Sequence, residues 1–380
     1  MTISHDGFVP VRRPPSPLSR VDSLDLRVSP RGKADAIPAI VRWAFMLFVF
    51  TLPFETAELK VMSGSLSLAK ISGFLFFASY FFYYNSLSQQ RSFPHPPQAM
   101  WWFLGYIVVY TLHGFFLPEE FLPQFFSRVL TLVQLLVLFW VTVDLLKQER
   151  MARSALLSYA IASSLMALGM ILQLPGFSEF TDARSGRMTA LGANPNIIAM
   201  LLSLATVILI GFCLDTKVSS IFAKGAALIL TLPLLAGVVN TGSRSGIGTL
   251  LLGCLLYLLP TRQSKSRLIP IILAVCATAG FVYLIISNPV SLARWEQLYY
   301  EGNMAGREKI TPTAVGMILE RPLFGWQPVA FWYELGTRLG RIFDTKDAHN
   351  LYLHLFLEVG ALGALPFLVG LWLCGRAAWE

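Results

Sequence analysis

The sequence predicts an all-α protein, a polytopic transmembrane helix bundle of about ten spans with one long outward-facing loop. Three observations predict it. Of the 380 residues, 55% are hydrophobic and only 14% are charged, where a soluble domain carries about a quarter charged residues. Mean hydropathy is +0.59. The apolar residues also gather into runs of the length, roughly 20 residues, that a helix needs to cross about 30 Å of hydrocarbon. The same figures exclude a cytosolic enzyme, a disulfide-rich secreted domain and a disordered chain, because a globule this poor in charge cannot cover its own surface.

The first 37 residues are polar and rich in Pro, Ser and Arg. They read as a disordered cytosolic tail, 1–37, with no cleavable signal peptide. Spans are expected at about 38–54, 65–84, 99–118, 126–145, 154–174, 195–214, 224–241, 245–260, 268–288 and 350–374. A nine-span bundle, 38–288, is thus followed by a long connection, 289–348, and by the tenth span with the C-terminus, 349–380. Cys213, Cys254, Cys276 and Cys374 all lie in apolar stretches without metal-ligand or CxxC spacing, and read as small apolar residues.

Orientation follows from the basic residues. With the N-terminus inside, the tail and the even-numbered turns collect Arg12, Arg13, Arg91, Lys147, Arg150, Arg153, Lys217, Lys224, Arg262 and Lys265 on one face. The 289–348 loop then faces outward. Lys70 and Arg128 sit a few residues inside their spans and are expected to snorkel to the outer surface. No span shows a paired Gly/Pro break, which argues against a transporter with a midplane site.

Basic residues on the outer face run against this bias. Arg187 precedes Asn194-Pro195-Asn196, Arg244 lies in Thr241-Gly-Ser-Arg-Ser-Gly246, Arg307 lies in Ala305-Gly-Arg-Glu-Lys309, and His349-Asn350 follows Asp347-Ala348. Spans six, eight and ten all start on that face. Asn194 with Pro195, Ser243, and Asp347 or Asn350 are natural helix starts. Helix N-termini flanked by arginine form ready anion sites, and guanidinium suits phosphate. Taken singly, each also fits a plain role: Asn194 a cap, Arg244 a headgroup contact, His349 a structural side chain. His354 and Glu358 form an i,i+4 pair inside span ten, read as structural. His113, near the outer end of span three, is a further candidate.

These residues resemble a known family. Gly192-Ala-Asn-Pro-Asn196, Thr241-Gly-Ser-Arg-Ser-Gly246, Gly306-Arg-Glu308, Glu320-Arg-Pro-Leu-Phe-Gly-Trp326 and Ala348-His-Asn-Leu-Tyr-Leu353 with Glu358-Val-Gly360 occur in the order seen in O-antigen ligase-related membrane proteins. The resemblance covers about 190–366, most densely 228–366. It implies a metal-independent, GT-C-like glycosyltransferase without cofactor, in the bacterial inner membrane, with its site on the periplasmic face. The implied partners are a polyprenyl-pyrophosphate-linked glycan donor, a glycolipid or saccharide acceptor and membrane lipids, with no nucleic acid. Carried over residue by residue, Arg244 and Arg307 bind the donor pyrophosphate and His349 is essential. Arg187 and Asn350 are further expected substrate-binding residues, Asn350 helping to orient His349. Ligases, exopolysaccharide polymerases and protein O-oligosaccharyltransferases share this chemistry, and a transporter of lipid-linked sugars is the competing class. The chain departs from the pattern at Lys309-Ile-Thr-Pro312, where many relatives carry a Trp. It also ends at Glu380, where relatives usually continue for one or more helices, so a fragment or a short member is the expectation.

Overall fold

The computed structural model describes residues 37–55, 58–61, 64–86, 95–175, 177–180, 186–215, 217–256, 268–302, 304, 306–340 and 345–379. Residues 1–36 of the expected tail 1–37 and the turn carrying Arg262 and Lys265 lie outside the described residues. Helices dominate: α1 Ala39–Thr51, α2 Leu68–Ser86, α3 Gln98–Leu112, α4 Leu122–Leu146, α5 Glu149–Ile171, α6 Pro195–Leu214, α7 Ile221–Asn240, α8 Arg244–Leu256, α9 Leu268–Ser287, α10 Pro289–Glu301, α11 Arg307–Glu320, α12 Ala330–Arg338 and α13 Leu351–Trp379. Two short antiparallel pairs add Glu58–Val61 with Gly64–Ser67 and Glu179–Phe180 with Met188–Thr189.

Each of the ten expected runs corresponds to a helix. Six of them, Gln98–Phe116, Glu119–Leu146, Glu149–Ile171, Pro195–Leu214, Ile221–Asn240 and Leu351–Trp379, are long and apolar enough to cross a membrane. Ala39–Phe54, Leu68–Tyr83, Arg244–Leu255 and Thr278–Ser287 are shorter apolar helices. Large apolar side chains point outward along these helices, with Phe74 at 73%, Phe82 at 80% and Phe222 at 87% exposure. Such a surface is stable only against lipid. The protein is therefore a multi-pass helical membrane protein.

Small residues set the packing. α6 and α8 run parallel, because Ala199 faces Gly246 while Val207 faces Gly253, and the Ser203 hydroxyl donates to the Gly246 carbonyl at 2.9 Å. Close approach of this kind is the usual way for helices to associate in lipid. α7 returns antiparallel, bringing Gly237 near its C-terminus against Leu202 of α6. α3 and α13 are also antiparallel, pairing Val109 with Gly363 and Phe103 with Gly370.

Among its described residues the long connection holds three helices, α10, α11 and α12. Ile310, Ala314 and Met317 of α11, with Phe331 and Leu335 of α12, form a buried cluster with Ala348 and Leu357. One expectation is corrected here. α13 is two helices joined at Gly360, whose φ of 60° and ψ of −167° are non-helical. No sequence break signals it, because a single Gly between apolar residues reads as helix. The turn 321–326 fills the break: Ala361 N–H donates to the Pro322 carbonyl at 2.9 Å, Leu362 N–H to Leu323 at 3.2 Å, and Trp326 N–H to Leu357 at 2.6 Å. Buried backbone groups freed by the break are thus satisfied from the neighbouring turn.

Candidate functional site

The helix starts form as their caps predict. Asn194 Oδ1 accepts from Asn196 N–H at 2.9 Å, and Ser243 Oγ accepts from Gly246 N–H at 3.2 Å. Asn350 Oδ1 accepts from Tyr352 N–H at 2.9 Å and Leu353 N–H at 3.4 Å, so Asn350 caps α13. Asn196 then joins two of these starts, since its Oδ1 accepts from Ser243 Oγ at 2.9 Å and from Arg187 Nη2 at 3.0 Å.

Arg187 is held rather than snorkelling. Its Nε donates to the Thr241 carbonyl at 2.9 Å. Burial pushes its guanidinium down to about 10, and the nearby Arg294 and Arg244 add to the shift. Arg294 belongs to α10, which is docked onto the end of α7: Asn288 Nδ2 donates to Asn240 Oδ1 at 2.9 Å and Ser291 Oγ to the Val239 carbonyl at 2.7 Å. Gly242, at φ 59°, lies between the two side chains, and a Cβ there would stand 3.7 Å from the Cγ of both Arg187 and Arg294. Arg244 Nη1 donates to the Arg294 carbonyl at 3.3 Å. Arg307, the first residue of α11, and Glu308 lie within electrostatic reach of Arg244. Arg307 is also within reach of His349.

His349 occupies a left-handed backbone conformation, φ 51°. Its N–H donates to Asp347 Oδ1 at 3.3 Å, and its Nδ1 stands 3.7 Å from Asp347 Oδ2. Burial holds the imidazole below its ordinary value, against the pull of Asp347 and with Lys346 and Arg307 adding to the shift. The carboxylate beside the ring is that of Asp347, whereas Asn350 Oδ1 faces the backbone of α13. Sequence reasoning missed this pairing, although the Asp-x-His spacing could have suggested it. It also missed Arg294, for which the only signal was a further arginine in an outward segment.

One other expectation is corrected. His113 is not among these groups: its Nδ1 lies 2.8 Å from the Val109 carbonyl and its Nε2 2.7 Å from that of Phe324, where it supports the 321–326 turn. The Arg128 guanidinium carbon stands 4.0 Å over the Trp332 ring of α12. Beside the same turn lies a cavity of about 990 Å³ lined mainly by apolar side chains, including Val109, Leu112, Phe115, Leu323 and Leu362.

The segment that carries these groups can be compared with known families. The family model described as O-antigen ligase matches residues 226–368. That segment is similar to the O-antigen ligase family. The matched segment contains Arg244, Arg294, Arg307 and His349, all of α8 and α10–α12, and α13 past its break. Arg187 and Asn196 lie ahead of it, yet are hydrogen-bonded into it through Thr241 and Ser243. Neither a curated protein nor a solved structure matches the chain.

Proposed function

We propose that the protein transfers a glycan from a polyprenyl-pyrophosphate donor to an acceptor hydroxyl, as an O-antigen ligase-like, metal-independent glycosyltransferase. The observation that carries this reading is the gathering of Arg187, Arg244 and Arg294 around the start of α8, with Arg307 of α11 in electrostatic reach of both Arg244 and His349. Arg244 and Arg307 clamp the pyrophosphate, Arg187 and Asn350 complete the substrate-binding set, and His349 is the base.

The chemistry follows from the charges. The acceptor oxygen attacks the anomeric carbon and its proton passes to His349, while the bond to the pyrophosphate breaks and the electron pair leaves with phosphate. Fixed guanidinium groups stabilise that growing charge, and a neutral imidazole suits the proton transfer. The apolar cavity beside the 321–326 turn suits part of a lipid chain.

In this reading the chain makes ten crossings of the bacterial inner membrane in a GT-C-like bundle, with the tail 1–37 cytosolic and 289–348 periplasmic. The opposite end of the bundle supports the orientation, for there Lys147, Arg153 and Lys217 cluster with Asp144, Glu149 and Asp215.

The test is transfer from an undecaprenyl-pyrophosphate-linked oligosaccharide in liposomes containing EDTA. Arg244→Ala and His349→Ala each lose about a hundredfold in rate, equivalent to about 3 kcal/mol of transition-state stabilisation. Arg153→Ala, whose partner Asp215 at 2.6 Å follows the far end of α6, retains transfer. Full transfer by His349→Ala, or loss in EDTA restored by Mg²⁺, overturns the proposal. A transporter of lipid-linked sugars is the second reading, favoured by the break at Gly360 beside buried Glu358. Loss of activity in Glu358→Gln with full activity in His349→Ala would select it.

A further inference from the structure

A line of polar side chains descends from His349 into the bundle. Asp347 Oδ2 stands 3.7 Å from His349 Nδ1, and Asp347 Oδ1 lies 3.2 Å from His354 Nδ1. On the other side of the same ring, His354 Nε2 faces Glu358 Oε2 at 3.6 Å. The Tyr106 hydroxyl of α3 points to that carboxylate oxygen at 3.5 Å. Below His349, itself 39% exposed, side-chain exposure falls from 51% at Asp347 to 23% at His354 and 4% at Glu358.

Burying a carboxylate at membrane depth is costly unless a specific partner or function retains it. Helix packing alone would be served better by an apolar residue. His354 has a carboxylate at each nitrogen, and ionised carboxylates only accept, so the ring is placed to donate to both. Its plane is fixed by edge contacts to Phe331 at 4.8 Å and Trp332 at 6.2 Å between centroids. His354 therefore holds Asp347 from below, while Asp347 accepts from the His349 N–H and turns its second oxygen toward the His349 ring. A carboxylate at Nδ1 leaves Nε2 as the basic nitrogen and stabilises the imidazolium once it forms, the part a carboxylate plays in acyl-transfer triads.

We propose that Asp347 is the positioning residue of the base His349, and that the buried His354–Glu358 pair holds Asp347 in place. This rests on the reading of His349 as the base. The groups facing His349 are Asp347, Lys346 and Arg307. Those facing the buried end are Tyr106 and Tyr110 from α3 and Arg128 from α4.

The experiment measures kcat, acceptor KM and their pH dependence for the full-length protein in liposomes with the same undecaprenyl-pyrophosphate donor. Binding of inorganic pyrophosphate is followed separately by thermal shift. Asp347→Asn lowers kcat at least tenfold, leaves acceptor KM within about threefold and leaves the pyrophosphate shift unchanged. Removing the charge beside the imidazole lowers the basicity of His349, so the acid limb of the rate profile moves to lower pH. Glu358→Gln lowers kcat with the same unchanged KM, and Glu358→Asp recovers part of the loss. Asp347 is exposed and Asn is isosteric, so that variant folds and decides the matter even if a Glu358 variant does not. The proposal is overturned if Asp347→Asn keeps kcat within twofold, if its loss falls on KM or pyrophosphate binding, or if its acid limb stays in place. If His349→Ala itself transfers at full rate, the parent reading fails instead, and the two failures are told apart.

Discussion

Leu323 lies against Gly360 so closely that a Cβ at position 360 would overlap the Leu323 carbonyl group. Gly325 makes the reciprocal approach, with a Cβ there falling 2.7 Å from Gly360 N and from the Leu357 oxygen. The break in α13 and the 321–326 turn are one interlocked feature. The φ and ψ of Gly360 are open essentially to glycine alone. Gly360→Ala combines that strain with the overlap and destabilises the protein by about 3 kcal/mol or more. Thermal unfolding in detergent reads the loss, and Gly316→Ala, which has open space around it, is the matched control.

Asn196 is a single acceptor for two donors, Arg187 Nη2 and Ser243 Oγ. Asn196→Ala leaves both without that oxygen in a half-buried setting. The unfolding free energy falls by about 1–3 kcal/mol, and pyrophosphate affinity weakens because Arg187 is no longer fixed. Isothermal titration with inorganic pyrophosphate checks the second effect. Unchanged affinity would separate Arg187 from the anion site.

Arg294 enters the site through α10, and its Nε is buried without a hydrogen-bond partner. A charge-assisted bond to a phosphate oxygen would satisfy it. Arg294→Ala is expected to weaken pyrophosphate binding about tenfold, and Arg294→Lys to recover part of it while losing the planar fork. Equal affinity in all three proteins would remove Arg294 from the anion site.

With His349 as the proposed base, the rate profile should carry the mark of a group held below the ordinary histidine value of 6.5. Transfer requires the neutral ring, so the rate is flat above that value and falls only at lower pH. Asp347 is held down at about 2, chiefly by its hydrogen bond from His354, and stays ionised throughout that range. Its folded value lies below its unfolded one, so its contribution to stability is present above the unfolded value and is lost as pH falls toward 2. An acid limb centred above pH 7 would contradict the placement of His349.

Helix positions and caps were legible in the sequence because both are local. Runs near 20 apolar residues announce spans, and Asn194-Pro195 announces the start of α6 to the residue. The identity of Arg244, Arg307 and His349 as a group was legible only through the order of motifs. Their meeting point depends on α10 docking against Asn240 and Val239, a long-range contact without periodicity. The break at Gly360 was invisible for the same reason: its cause is the turn at 321–326, a neighbour in space. Either Asp347 or Asn350 reads as the start of the tenth span; Asn350 supplies the cap, and the Asp347 carboxylate faces the two histidines.

The crowding of Arg187, Arg244 and Arg294 is a source of internal repulsion. A bound anion relieves it, so occupancy and folding are linked, and the gain grows with the logarithm of ligand concentration over its dissociation constant. The resting protein is then the fragile form. If the donor is the one proposed, a protein starved of it unfolds at lower temperature and yields to proteases sooner, so that its lifetime in the membrane reports the supply of its substrate.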